Sequence, residues 1–504
     1  WLKIFCCMSA ATWAPPGSDC YELLEVLANS KSVRGLAGAS KAADGSRMPL
    51  EVVEAQNGGR ARKSLLRRLL ATMGPGLMVC FADTDGSCLL TAADSGAKWR
   101  YKLLLLQVIL IPTLYFAQEL TVRLAIFKRQ GLCGLLRREV GPRWAWAVAV
   151  PLLLDVCLAL ISEISVVGET VHVCWGVPAV VTNTIFMLFL LALVLTGSYN
   201  VAEKVGLAMG SMQVFFFVTV FMAGPSGREM WSDLWDFPLR EPSYVKLVTA
   251  NIGAVIMPWM LAYQQSALCQ KLSEEDEAEE RERLSLNGGG DRERNDSEVL
   301  LIERIDTFVG SFLTQGVMAA MLVTAAASPR FAGKDIDSIG QLLTIFTNIM
   351  GGELQAKVLL TFAIVGACTV AAIVVSLCGA WALEEAMGRP VARAGFQHRG
   401  LLHGLAQNLR GRPSFYVAYG LTCAIAWFLT VFAPGLTESL TGVWTQFING
   451  LLMPPVIFTL WYLASYKLDE TNRLGQCYKW ALFAVFFVCS AFCVTSIPLA
   501  LQDD

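Results

Sequence analysis

Apolar runs long enough to cross a lipid bilayer recur along almost the whole of this chain. Eleven can be drawn, at about 72–97, 101–127, 144–173, 177–197, 204–224, 246–269, 299–327, 354–384, 413–434, 440–465 and 476–500. A spanning helix needs roughly 20 predominantly apolar residues. The pattern therefore predicts an all-α integral membrane protein with about 11 transmembrane helices. The first and sixth runs are interrupted at their middles. One reads GPGLMVCFADTDGSCLLTAADSGA from Gly74 to Ala97, the other ANIGAVIMPWMLAYQQSAL from Ala250 to Leu268. Backbone that leaves the helix at bilayer depth is tolerated only where it faces protein or a water-filled cavity. Interrupted spans at matching places in two halves point to the binding site of an inverted-repeat transporter. Five spans per half would give the halves opposite orientations, so a 5+5 inverted repeat plus one helix is expected. The transporter domain would cover 71–500, with repeat one at 71–225, repeat two at 245–466 and the extra helix at 476–500.

The polar stretches set an orientation. Residues 1–70 form a Gly-, Ala- and Ser-rich tail that is expected to be disordered and ends in the basic run RARKSLLRRLL. That run falls on one side with Lys128, Arg129, Arg137, Arg138 and Arg143, and with Arg389, Arg393, Arg399, Arg410 and Arg412. Cytosolic loops carry the excess of Lys and Arg, so the N-terminus is expected in the cytosol. Lys98, Arg100 and Lys102 are exceptions on the opposite side. A charged stretch at 270–298 reads as a solvated cytosolic linker, and 335–352 as an amphipathic helix on the outer surface. The chain opens on Trp1 rather than Met, and a start upstream of it is expected.

Composition agrees with a membrane protein. Hydrophobic residues make up 55% and charged residues 16%, where soluble domains carry about 25% charged. The mean hydropathy is +0.50. The lipid bilayer is thus one expected partner, and nucleic acid is not. Fifteen cysteines are scattered mainly through apolar spans without paired or zinc-like spacing, as small buried hydrophobes are. No phosphate-binding Gly loop, Ser-His-Asp arrangement or zinc-hydrolase motif stands out, so neither an enzyme, a resident cofactor nor an ATP-driven pump is expected.

The first break, Ala82-Asp83-Thr84-Asp85-Gly86-Ser87-Cys88, concentrates carboxylates, hydroxyls and a thiol. Gly86 lets the chain leave the helix and frees carbonyls. Carboxylate, carbonyl and hydroxyl oxygens suit a hard divalent cation such as Mg2+ or Mn2+. A helix N-cap after a kink would account for one aspartate but not two, and an intramembrane acid is functional by default. In the second break Pro258 removes a donor, so carbonyls near Ala254 lose their helical partners. Met257 brings a soft thioether that favours Mn, Fe, Co or Cd; a plain proline kink with Met as filler is the alternative. Gln446, Asn449 and Pro454 on the tenth span could complete a cavity wall. Glu119 and Arg123 are four apart on one helix face and suggest an ion pair. Asp155, Glu163 and Glu169 lie in the third span, and Glu163 divides between a cation or proton path and an ion pair. Asp306 opens the seventh span, where a carboxylate favours a helix N-terminus. His172, His398 and His403 all fall outside the breaks, so no imidazole proton acceptor accompanies them.

The two breaks also resemble the signatures of the NRAMP metal-ion transporters, along spans 1 to 10. A gapless match from Gly74 to Ala97 sets the family's Asp-Pro-Gly-Asn on Asp85, Gly86, Ser87 and Cys88, and GAVIMPW resembles the sixth-span Ala-x-x-Met-Pro-His. The resemblance implies a LeuT-like inverted-repeat fold. It makes Asp85 the main charged ligand, with carbonyls from Ala82 and Ala254, sulfur from Met257 and the amide of Gln446. Asp83, Thr84, Ser87 and Cys88 would stand nearby, holding ligand or bound water. The family's Pro and Asn are lost, and Trp259 replaces its histidine. ADTD with MPWM and YQQSA looks like the NRAMP-related magnesium transporters, which implies a wider site, a more hydrated ion and no proton coupling. The expected activity is secondary transport of Mg2+ or Mn2+ toward the cytosol by alternating access. The alternatives are a proton-coupled Mn2+/Fe2+ importer, a Na+-coupled amino-acid symporter on the same fold, or a non-transporting sensor using 270–298.

Overall fold

The computed structural model describes residues 74–195, 199–286, 296–389 and 413–500, and they are helical almost throughout. The first span is two half-helices, α1 (Pro75–Ala82) and α2 (Gly86–Trp99). Then come α3 (Leu104–Lys128), the short α4 (Leu132–Glu139), α5 (Pro142–Trp175) and α6 (Ala179–Leu195). A 3-10 turn at Ser211–Val214 divides the fifth span into α7 (Tyr199–Gly210) and α8 (Phe215–Ala223). After α9 (Gly227–Asp233), the second half opens with another pair of half-helices, α10 (Pro242–Val255) and α11 (Pro258–Leu286). It continues through α12 (Asp296–Ala326), α13 (Ile339–Met350), α14 (Glu353–Ala386), α15 (Pro413–Phe432), α16 (Pro434–Leu440) and α17 (Val443–Tyr466). One further helix, α18 (Gln476–Thr495), closes the described chain apart from a last short turn of helix. Each of the eleven runs drawn from the sequence is thus helical. Nine of the described helical stretches are long and apolar enough to span a membrane, and the divided first span and the shorter α6 complete the set.

The element order of the first half recurs in the second, each starting with a broken span. The third span is a 34-residue helix in both, and these two, α5 and α14, pack along one another. Large apolar side chains face outward, Phe221 at 86% and Val488 at 65% exposure, while Asp83, Asp85, Glu163 and Gln446 are enclosed. This is the inside-out arrangement that lipid selects. α10 and α17 cross close together because both carry glycine at the contact. A Cβ on Gly253 would overlap the Gln446 carbonyl oxygen and come within 2.5 Å of the Gly450 amide nitrogen. Backbone cannot move aside as a flexible side chain can.

A buried ion cluster ties the helix ends on the α1 side. Glu119 of α3 takes the Arg123 guanidinium at 2.8 Å and the Arg304 guanidinium of α12 at 2.6 Å. Its second oxygen accepts the Tyr478 hydroxyl of α18 at 3.2 Å, and Arg123 also donates to the Asn472 carbonyl at 3.0 Å. The expected i,i+4 pair is therefore one edge of a junction joining three helices.

Other expectations change. Asp306 lies well inside α12 and caps a different helix, accepting the Leu77 amide of α1 at 3.3 Å. The charged stretch after span six starts as helix, because α11 runs on to Leu286; its Glu, Arg, Ala and Leu are good helix formers, and Gln270 bonds Glu274 one turn on. Lys98, Arg100 and Lys102 do not stand as free cations. They pair with Asp335 at 2.5 Å, with Glu229, and with Asp236 at 2.7 Å, so acids offset the basic exceptions on that side. The amphipathic helix expected in 335–352 is α13, with Ile339, Leu342, Ile345 and Phe346 inward and Glu169 accepting the Ile339 amide at 2.8 Å. The 1–70 tail, residues 287–295 of the linker, His398 and His403 lie outside the described residues.

Two stability predictions follow from these contacts. Glu119→Gln leaves two buried guanidiniums without their anion and is expected to destabilise by about 3–5 kcal/mol, read as a lowered unfolding midpoint in detergent. Gly253→Ala should cost about 1–3 kcal/mol through overpacking at the α10–α17 crossing; an unchanged midpoint would contradict that close approach.

Candidate functional site

The break between α1 and α2 is held open by bonds that replace the helical ladder. The last carbonyls of a helix have no intrahelical donor. Here Cys80 gives its carbonyl to the Thr314 hydroxyl at 2.8 Å, and Phe81 gives its own to the Gln213 amide at 2.7 Å. Ala82 ends α1 and Asp83 caps it. Asp85 then starts α2 as its N-cap, accepting the Cys88 amide at 2.7 Å. A carboxylate there satisfies one orphan donor and meets the positive end of the helix dipole.

The second break follows from Pro258. In an unbroken helix the amide four residues on would bond the Ala254 carbonyl, and proline has no amide hydrogen. That carbonyl instead accepts the Cys88 thiol at 3.3 Å, which joins the two breaks. Ile256 has left helical geometry, and Met257 follows it, fully enclosed.

These contacts bring five of the sequence-derived residues into one cluster. Ser87 donates to Asp85 at 2.9 Å, and the Gln446 amide of α17 lies 2.6 Å from the Ser87 hydroxyl and 3.4 Å from Asp85. Cys88 and Ala254 complete it. Asp83 is buried beside them, and neither of its carboxylate oxygens has a partner. Thr84 turns away: its hydroxyl is engaged by the Phe81 carbonyl at 3.2 Å and by Gln213, so it braces the break rather than facing Asp85. Ala82 and Met257 are buried within the two breaks.

The fold adds residues that spacing did not join. Glu163 of α5 faces Asp85 and Cys368, and one of its oxygens accepts the Gly86 amide at 3.4 Å. Cys368 of α14 and Val166 close round Gly86 so tightly that a Cβ there would come within 2.8 and 2.6 Å of them. Gln213 sits in the 3-10 turn of the fifth span, as Gln446 sits in the tenth, so the fifth span of each half sends a glutamine to the first break. A lone buried glutamine in the apolar run 204–224 was the available signal for it. Among the described residues no lysine or arginine pairs with Asp83, Asp85 or Glu163. Nor do three His, Cys, Asp or Glu side chains among them converge as a coordination shell. A cation here would also need carbonyl, hydroxyl, amide or water oxygens.

A cavity of about 320 Å3 opens at the Trp99 end of α2, lined by Leu90, Asp94, Lys98, Lys246, Asp337 and Trp444 among others. Burial, and then the neighbouring Asp335, push the Asp337 carboxyl above its ordinary range. On the α1 side the helix ends are tied together by the Glu119 cluster and by Asp306 on the start of α1.

Residues 76–498 match the family described as natural resistance-associated macrophage protein-like, Nramp. The "Divalent metal cation transporter MntH 1" of Pseudomonas aeruginosa is 27% identical over 319 residues, 61% of this chain and 67% of that protein. The "Divalent metal cation transporter MntH" of Deinococcus radiodurans is 28% identical over 300 residues, 58% of this chain and 63% of its own length. Among solved structures, the Eremococcus coleocola manganese transporter, in complex with an aromatic bis-isothiourea substituted compound, superposes with a TM-score of 0.63. It does so at 16% identity, over 86% of this chain and 87% of that one. MhsT in complex with L-phenylalanine superposes at 0.52 with 10% identity, over 84% and 98%. Those likenesses show a shared LeuT-type fold. Since the family match runs through both breaks and every helix that carries the cluster, this chain belongs to the Nramp family.

Proposed function

We propose that this chain is a secondary transporter that carries a divalent metal ion, Mg2+ or Mn2+, toward the cytosol by alternating access. The observation that carries this reading is the group of buried acids at the breaks, Asp83, Asp85 and Glu163, with no cationic side chain paired to them among the described residues. Burying an uncompensated carboxylate is costly. A transported cation would offset that cost each time it enters the site. The C-terminal ends of α1 and α10 both lie at the breaks, and the negative ends of their dipoles favour positive charge there. The names of the bacterial relatives support metal cations as the cargo.

In this reading Asp85 is the main charged ligand. The Ala82 and Ala254 carbonyls, Ser87 and Gln446 add oxygens, and Asp83 holds a bound water or the ion itself. Thr84 acts at one remove, through the shape of the break. Met257 contributes sulfur only to the softer ions. Cys88 donates its hydrogen to the Ala254 carbonyl, so it acts as a neutral thiol that tethers the breaks. An oxygen-dominated set suits Mg2+, which keeps part of its water shell, and it also accepts Mn2+. No histidine among the described residues enters either break, and Trp259 stands where an imidazole would sit, which supports uptake without a coupled proton.

The two halves, 71–225 and 245–466, would move against one another as inverted repeats. In one state the cavity at the Trp99 end admits the ion and the Glu119 cluster stays shut. In the other, that cluster parts and the cavity closes.

The test is uptake into proteoliposomes holding a Mg2+-sensitive and a Mn2+-sensitive dye, with internal pH recorded. Mg2+ or Mn2+ entry without acidification is expected; Mn2+ entry with acidification and no Mg2+ entry would replace this reading with proton-coupled import. Asp85→Ala should lower uptake to the level of empty liposomes while the protein still folds and unfolds cooperatively, and wild-type uptake by that variant would remove the site. Cys88→Ser keeps a donor for Ala254 and should retain uptake. Its loss would make the thiol a ligand.

A further inference from the structure

The fifth span lies against α1 and interrupts its own helix beside the first break. Gly206 and Gly210 of α7 sit so close to α1 that a Cβ on either would come within 2.6 Å of Met78 or Phe81. α14 crowds the same stretch, since a Cβ on Gly366 would overlap the Met209 carbonyl oxygen. The 3-10 turn at Ser211–Val214 then turns Gln213 inward, fully buried, while Ser211 and Val214 on either side stay exposed. A stretch of 3-10 inside a helix often marks a functional hinge. Here it delivers one buried amide to the break.

That amide makes two bonds, three residues apart on the chain it meets. Its N–H donates to the Phe81 carbonyl at 2.7 Å, and its oxygen accepts the Thr84 hydroxyl. The direction is fixed, because a peptide carbonyl accepts only and does not titrate. Gln213 must therefore show its N–H to Phe81 and its oxygen to Thr84. The clamp coincides with the end of the helix. Asp83 still has helical angles, φ −67° and ψ −18°, whereas Asp85 is extended at φ −67° and ψ 176°. Only Ala82 and Asp83 lie between the two pinned residues. Neither carboxyl oxygen of Asp83 has a partner, and no donor among the described residues reaches the Ala82 carbonyl. The clamp thus satisfies the oxygens that flank this pair of residues and leaves open those within it.

We propose that Gln213 is a positioning residue whose two-point clamp holds Ala82 and Asp83 so that their oxygens meet the ion together. This rests on the metal-transport reading above. Gln213 and Gln446 then hold corresponding places in the two halves with different tasks. Gln446 reaches Ser87 and Asp85 themselves, and Gln213 shapes the chain just before them. Met257 lies in the other break, which Pro258 and the Cys88 bond to Ala254 maintain without Gln213. The clamp therefore governs oxygen ligands and not the thioether, and its loss should cost an oxygen-seeking ion more than a soft one.

The test uses the purified full-length chain in detergent, with Mn2+ and Cd2+ affinities read by calorimetry. Gln213→Leu removes both bonds at similar volume. Its Mn2+ affinity is expected to fall roughly tenfold, the size of one bond to a charged group, and its Cd2+ affinity by less. Thr84→Val cuts one of the two bonds and is expected to show the same order of ions with a smaller loss, which carries the test if Gln213→Leu does not fold. Thr219→Val is the control. Thr219 is a buried threonine of the same span, bonded to Thr324 at 2.9 Å rather than to either break. Its replacement should lower the unfolding midpoint and leave both affinities unchanged. Wild-type Mn2+ affinity in Gln213→Leu or Thr84→Val, an equal loss for Mn2+ and Cd2+, or as large a loss in Thr219→Val overturns the proposal. Unfolding midpoints without metal read the clamp separately. The double variant of Gln213→Leu and Thr84→Val should fall by less than the sum of the single shifts, and additive shifts overturn the clamp whatever the metal does. Wild-type protein that binds neither metal removes the transport reading instead.

Discussion

Two helices that stop inside a membrane leave carbonyls that must find a donor or a cation, and the architecture answers that demand. No lipid can supply a hydrogen bond there. Protein groups take three of the carbonyls: Thr314 takes that of Cys80, Gln213 that of Phe81 and Cys88 that of Ala254. Those donors come from α12, from the turn between α7 and α8, and from α2. Each break is therefore stabilised by elements distant in the chain, and neither half-helix pair would hold its shape alone. Gly253 and Gly450 let α10 and α17 approach until Gln446 reaches Asp85.

The buried charges fall into two kinds. Glu119 has two guanidiniums and a tyrosine hydroxyl, a fully occupied anion whose partners come from three helices. It joins those helices with strong, directional bonds. Asp83, Asp85 and Glu163 lie at the breaks with no lysine or arginine paired to them among the described residues. The contrast separates a cluster that holds helices together from one that leaves an opening for a mobile charge. Asp306 stands between the two, since one oxygen holds the start of α1 while the other has no hydrogen-bond partner.

The spans and both breaks were legible in the sequence because hydropathy and proline chemistry act locally. Eleven apolar runs became helices, and Pro258 freed the Ala254 carbonyl as its missing amide requires. Asp85, Ser87, Cys88, Ala254 and Gln446 were named from sequence and meet in one cluster. Thr84 was named with them but turns to Gln213, because the side of the break that a hydroxyl faces depends on the neighbouring helix. Gln213 escaped notice, since a single polar residue in an apolar run carries no mark of its partner.

What the sequence by itself determined was the lipid-facing apolar periodicity, the two places where the helix cannot continue, and the acids placed there. Each depends on the chemistry of a few consecutive residues. Only the tertiary structure decided which freed carbonyl meets which donor, that Asp306 caps α1 rather than its own helix, and that Glu119 gathers Arg304 as well as Arg123. Those pairings cross up to several hundred residues and depend on how closely helices pack, which glycine positions and crossing geometry set together.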